Sequence, residues 1–120
     1  MKGLLHMDLR DCFKEFSGAV TISDTEGKIL YMNDASAKVN EKQGGQKLIG
    51  QNILDCHPEP ARAKLKHLME TQKKNIYTIE KQGKKKIVYQ TPWYVGGIYQ
   101  GFVELTFEIP FEMLHFVRQG

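Results

Sequence analysis

The stretch KKIVYQTPWYVGGIYQGFVELTFEI, residues 85–109, constrains the fold more than any other part of the chain. Two long runs rich in Val, Ile, Tyr, Phe and Thr flank Gly96-Gly97. A Gly-Gly pair supplies the positive φ that a two-residue hairpin turn needs at both central positions. In the second run Val103, Leu105, Phe107 and Ile109 alternate with Phe102, Glu104, Thr106 and Glu108, so one face of the strand is plainly apolar. NIYTIEK, residues 75–81, reads as a strand that joins the first run through a QGK turn.

A second hairpin is written near the start. GAVTIS reads as a strand and DTEG as a turn, with Gly27 where positive φ is cheap; KILYMN reads as the returning strand, closing a hairpin over residues 18–33. Asn33 and Asp34 are good N-cap types, and DASAKVNEK follows as a short helix that QGGQ breaks. KLIGQNILDCH is an irregular apolar connection.

Two further helices carry apolar stripes. Leu5, Leu9, Cys12, Phe13 and Phe16 fall on one face of an N-terminal helix. Ala61, Leu65, Leu68 and Met69 repeat at i, i+4, i+7 and i+8 in a helix expected to start at Pro58, with Pro in its first turn and Glu59 on the positive end of the dipole. PFEMLHFVRQ, at the end, reads as a short terminal helix. The order of helix, two strands, helices and three strands predicts an α+β domain, a five-stranded antiparallel sheet with helices on one face and a flanking N-terminal helix. The expected division is residues 1–16 for that helix, 17–110 for the domain and 111–120 for a tail.

At 120 residues the chain holds one core. Its net charge of +3 is weaker than a nucleic-acid binder usually shows, and the densest basic run, KQGKKK at 81–86, falls on a hairpin turn with one aromatic nearby, Tyr77. No stretch approaches the length of an apolar membrane span. The opening MKGLLHMDLRD becomes charged before an apolar run forms, against a secretory signal. Two distant cysteines, Cys12 and Cys56, require no disulfide, and a cytoplasmic protein with reduced thiols is expected. Neither nucleic acid nor membrane is an expected partner.

The order and spacing of several pieces resemble a PAS domain. GAVTISDTEGKILYMNDAS is similar to the PAS opening hairpin, and LIGQNILDCHPEPARAKLKHLM to the segment leading into the long PAS helix, where a glycine such as Gly50 is usual. GGIYQGFVELTFEIP resembles the last hairpin, with Gly101 opening the strand. Glu108-Ile109-Pro110 stands where many members carry Asp-Ile-Thr, a departure that weakens the idea of the usual short linker into a kinase. DCHPE, YQTPWY and PFEMLHF resemble a bacterial and archaeal subgroup. The resemblance covers roughly residues 15–110. It implies a signalling module that binds a small ligand or cofactor between sheet and helices, or that dimerises, with signals leaving through the terminal helices; the fold does not choose among these uses.

The candidate ligand-binding residues are His57, Cys56, Asn33, Tyr89, Thr91, Trp93 and Glu104. His57 stands at the mouth of the long helix, either as a neutral imidazole able to bind a metal or haem iron, or as a capping residue. Cys56 is a candidate axial thiolate or redox thiol, against a buried inert thiol. No CxxC or HxxxH spacing supports a structural zinc site. Tyr89, Thr91 and Trp93 share one side of their strand, Val88, Gln90 and Tyr94 the other, and either set can line a pocket. Glu104, between apolar neighbours, is either a pocket acceptor or the wet side of the alternation. No GxSxG, P-loop or GxGxxG motif supports catalysis, and the chain is not expected to be an enzyme.

Three uses follow: a small-ligand sensor, a haem sensor with His57 as axial ligand, or a ligand-free interaction module. In each the chain is expected to be a homodimer through Leu5, Leu9, Phe13 and Phe16, with a signalling protein as a possible further partner.

Overall fold

The computed structural model describes residues 8–120. Five strands, β1 Ala19–Ser23, β2 Ile29–Met32, β3 Asn75–Lys81, β4 Lys84–Val95 and β5 Ile98–Ile109, form one sheet in the order β2-β1-β5-β4-β3. Every neighbouring pair is antiparallel. The three helices are α1 Leu9–Lys14, α2 Asp34–Val39 and α3 Ala61–Thr71, with 3-10 turns at Glu41–Gln43, Gly45–Leu48 and Ile53–Cys56. The expected α+β architecture is present.

The hairpin turns follow their glycines. Gly96 and Gly97 have φ of +56° and +79° between β4 and β5. Gly101 serves differently. Its φ is +142°, and a Cβ there would overlap the carbonyl oxygen of Ser23 on β1, so only glycine lets the two stretches of backbone approach this closely.

Strand register assigns each side chain to a face. Val88 and Gln90 of β4 and Phe102 of β5 are buried, and they share a face with Glu104, Thr21 and Met32. On this helical face Ile29, Met32 and Phe102 pack with Leu48, Ile53, Leu65, Leu68 and Met69 into the core. Of the stripe expected for α3, Leu65, Leu68 and Met69 are buried, while Ala61 at its start is exposed. The far face carries Val103, Leu105 and Phe107, opposite Thr91, Tyr89 and Ile87. Part of it is covered by α1 and its exit: Tyr31 donates to the Arg10 carbonyl, and Phe16 lies against the Gly18 backbone beside Phe107.

Two local expectations are corrected. The long helix starts at Ala61, not Pro58, and Pro60 is its N-cap. Each proline disfavours helical backbone in the residue before it. His57 is accordingly extended, at φ −113° and ψ 121°, and the chain cannot enter the helix until the second proline has passed. His57 therefore ends the 3-10 turn Ile53–Cys56 instead of opening the helix. Of the helix expected over 1–16, the part over 1–7 lies outside the described residues; within them α1 spans Leu9–Lys14, capped by Asp8, which accepts from the Arg10 amide while Asp11 accepts from the Asp8 amide. Finally, residues 110–120 form no helix. Phe111, Met113, Leu114, Phe116 and Val117 are all exposed, and a segment this short is not helical without a partner to pack on.

Candidate functional site

The site lies between the helical face of the sheet and the turns that cross it. Residues 52–57 form its roof. Asn52 accepts from the Leu54 amide through Oδ1 and so starts the 3-10 turn, while its Nδ2 donates to the Glu26 carbonyl and ties the turn to the β1–β2 hairpin. At the end of that turn His57 Nδ1 lies 2.8 Å from the Ile53 carbonyl oxygen. A carbonyl only accepts, so the proton is on Nδ1 and a neutral ring leaves Nε2 as an acceptor. Arg62 Nε donates to the His57 carbonyl and holds the backbone from the other side.

His57 separates two cavities. One, of about 120 Å³, is walled by Ile29, Met32, Val39, Leu48 and Ile53, with Thr21, Asn40, Cys56, His57 and Glu104 as its polar lining. The other, of about 130 Å³, lies between α3 and the β3–β4 end of the sheet and is lined by His57, Leu65, Leu68, Asn75, Tyr77 and Gln90 among others.

A relay of amides connects the two. Asn75 Nδ2 donates to Gln90 Oε1 at 2.9 Å, which turns the Gln90 amide so that its Nε2 donates to Glu104 Oε2 at 2.8 Å. Gln90 is buried, so its orientation is set by these two bonds. The Glu104 carboxylate makes no ion pair among the described residues. Nearby, burial and then the Glu104 charge push the Tyr77 hydroxyl pKa up. Thr21 Oγ1 is 2.5 Å from Ser36 Oγ, which engages that hydroxyl. Asn40 Nδ2 donates to the Ser36 carbonyl and leaves its Oδ1 free.

The structure brings together three of the expected residues: His57, Cys56 and Glu104 line one cavity. Cys56 is a neutral thiol there, since burial first and then the Asp55 charge raise its pKa, and its Sγ faces the Asn52 carbonyl at 3.9 Å. Asn33 lies outside the lining. Its Oδ1 accepts from the Val20 and Ser36 amides and its Nδ2 donates to the Phe13 and Gly18 carbonyls, so all its hydrogen-bonding positions are filled by backbone. Tyr89 and Thr91 point to the far face, because Val88 and Gln90 beside them occupy the helical one. Trp93 spans β5 and donates from Nε1 to the Ser23 carbonyl at 3.0 Å. Of the dimer candidates, Leu9, Phe13 and Phe16 are exposed, Phe13 and Phe16 stacking edge to face at 6.0 Å; Leu5 lies outside the described residues.

Sequence reading missed Asn40, Thr21 and the relay role of Gln90. The alternation did place Gln90 opposite Tyr89, but nothing local says which side of a central strand meets the helices. Asn40 is a helix C-cap brought in by the chain's return, and it leaves no signal in the sequence.

Haem does not fit the two cavities as they stand. Pockets for drug-sized ligands occupy roughly 300–1,000 Å³, and a porphyrin is no smaller than such ligands. No group of three or more metal-ligating side chains exists among the described residues. No helix there is long and apolar enough to cross a membrane.

No protein-family model and no curated protein matches the chain. Solved structures do. A C-terminal domain from Streptococcus mutans superposes with a TM-score of 0.69 at 19% identity, over 83% of this chain and 81% of that one. The PAS domain of BvgS from Bordetella pertussis gives 0.64 at 14% identity, over 85% and 84%. The Aer2 receptor from Vibrio cholerae, a dual PAS-heme oxygen sensor, gives 0.52 at 19% identity, over 78% and 95%. With a five-stranded antiparallel sheet in the order β2-β1-β5-β4-β3, its helical face closed by short helices and turns, the chain has the PAS fold.

Proposed function

We propose that this chain is a sensory domain that binds a small organic ligand in the cavity beside His57 and works as a homodimer. One observation carries the reading. Apolar walls surround a few polar groups whose orientation is fixed from behind, His57 by the Ile53 carbonyl and Glu104 by the Gln90 relay. Binding sites are built this way, whereas a filled core leaves no such space. The same arrangement gives no support to catalysis, since the nucleophile types beside His57 and Glu104 are a protonated thiol and the Thr21 hydroxyl, which is bonded to Ser36 and not to His57.

The test is a thermal-shift screen of small organic molecules against the wild type and Leu48→Phe, which enlarges a side chain of the cavity wall. A ligand selective for the native state at a hundred times its Kd stabilises it by about 2.7 kcal/mol. The expected outcome is a saturable rise in Tm for the wild type that is lost in the variant. A Tm that no compound moves, or a rise of equal size in both proteins, contradicts the reading.

A further inference from the structure

Acceptors and negative charge dominate the free polar groups of the cavity beside His57. Thr21 and Cys56 are engaged with Ser36 Oγ and the Asn52 carbonyl. The free acceptors are Glu104 Oε1, Asn40 Oδ1 and, in the neutral ring, His57 Nε2, against the second Asn40 Nδ2 hydrogen and the one hydroxyl proton that Thr21 and Ser36 do not share. Glu104 is moreover a carboxylate with a single amide donor from the protein. No lysine or arginine lines the cavity. A ligand that brought further acceptors would leave these groups facing lone pairs. One that brings N–H donors and positive charge satisfies them, and charge-assisted bonds to a partly buried carboxylate are the stronger kind.

Size narrows the class further. A dry, enclosed protein cavity of about 150 Å³ holds benzene, so about 120 Å³ that is partly open to solvent takes in no more than one ring, with part of the ligand at the mouth. We infer that the ligand is a small amine or protonated nitrogen heterocycle, its apolar body against Ile29, Met32 and Leu48 and its N–H donors on Glu104 and His57. This inference rests on the ligand-binding reading above and adds the chemistry. The chain as a whole carries +3, which draws anions from solution, so a preference for a cation must come from the cavity itself.

The experiment is isothermal titration calorimetry at neutral pH with three probes of similar size: benzylamine, toluene and benzoate. The expected result is saturable binding of benzylamine, weaker binding of toluene and none of benzoate, with Glu104→Gln weakening benzylamine at least about tenfold, the scale of one lost charge-assisted bond. If toluene binds the wild type as tightly as benzylamine, or benzoate binds more tightly, the amine inference is overturned while the cavity remains a ligand site. If none of the three binds, both readings fail. The comparison of probes on the wild type decides the matter even where Glu104→Gln does not fold.

Discussion

Asn33 shows how one side chain can hold several elements. From a single buried position, 1% exposed, it caps α2 through the Ser36 amide, accepts from β1 and donates to the end of α1 and to the strand entry at Gly18. The residue type is legible in the sequence as an N-cap, and the cap is there. Its role as tether for α1 is not, because Phe13 and Gly18 come to it only through the folded chain. Asn33→Ala removes a cap worth about 1 kcal/mol and strands buried donors and acceptors at about 1–3 kcal/mol. A loss of about 3 kcal/mol is expected, read as a lower urea midpoint at unchanged m-value. A midpoint that barely moves shows that α1 and α2 are held by something else. His57 and Glu104 were identifiable as candidates by type and position. The groups that aim them, the Ile53 carbonyl and the Gln90 amide, lie on other elements and were not fully legible.

Elements with a strong period were read almost residue for residue. β3, β4 and β5 announce themselves by alternation and by paired turn residues, and α3 by its apolar stripe. The misreadings sit where backbone sterics overrule the pattern. Pro58 holds His57 out of the helical region and α3 begins only after Pro60, its N-cap, which turns His57 from a helix-opening residue into the end of a 3-10 turn. That displacement places His57 between the two cavities. Gly101 makes the corresponding point for strands. Its sequence signal is one glycine in a β run, and its reason is the Ser23 carbonyl pressed against it. Gly101→Ala combines a collision with backbone and a left-handed φ, so a loss of more than about 3 kcal/mol is expected from the strain and the broken β1–β5 pairing. Circular dichroism melting checks it: a variant that melts within a few degrees of the wild type contradicts the close approach.

At the scale of the molecule, the conspicuous feature is apolar surface that the described residues leave uncovered. Leu9 is 78% exposed, and Leu114 and Val117 are each 85% exposed. Single exposed apolar residues are ordinary, but α1 and the tail together present Leu9, Phe13, Phe16, Phe111, Met113 and Phe116 as well. This surface supports the proposed homodimer, and its α1 part was anticipated from the apolar stripe. The tail's non-helical form was not, since its conformation depends on what it packs against. Leu114→Asp with Val117→Asp alters side chains that support nothing within one chain, so the double variant is expected to fold and to run as a monomer in light scattering where the wild type has twice the mass of one chain. A variant that stays dimeric, or a monomeric wild type, contradicts the homodimer.

The proposed function stands on the space beside His57 taking a ligand. The most direct measurement is a methyl NMR titration of protein labelled at its methionine methyl groups. Met32 lines the cavity and Met113 is exposed on the tail, so the two report site and background in one spectrum. With benzylamine or another bound fragment, the Met32 methyl is expected to shift saturably while Met113 stays in place. A Met32 signal that does not respond to fragments at millimolar concentration, or that moves only in step with Met113, contradicts a ligand site in this domain.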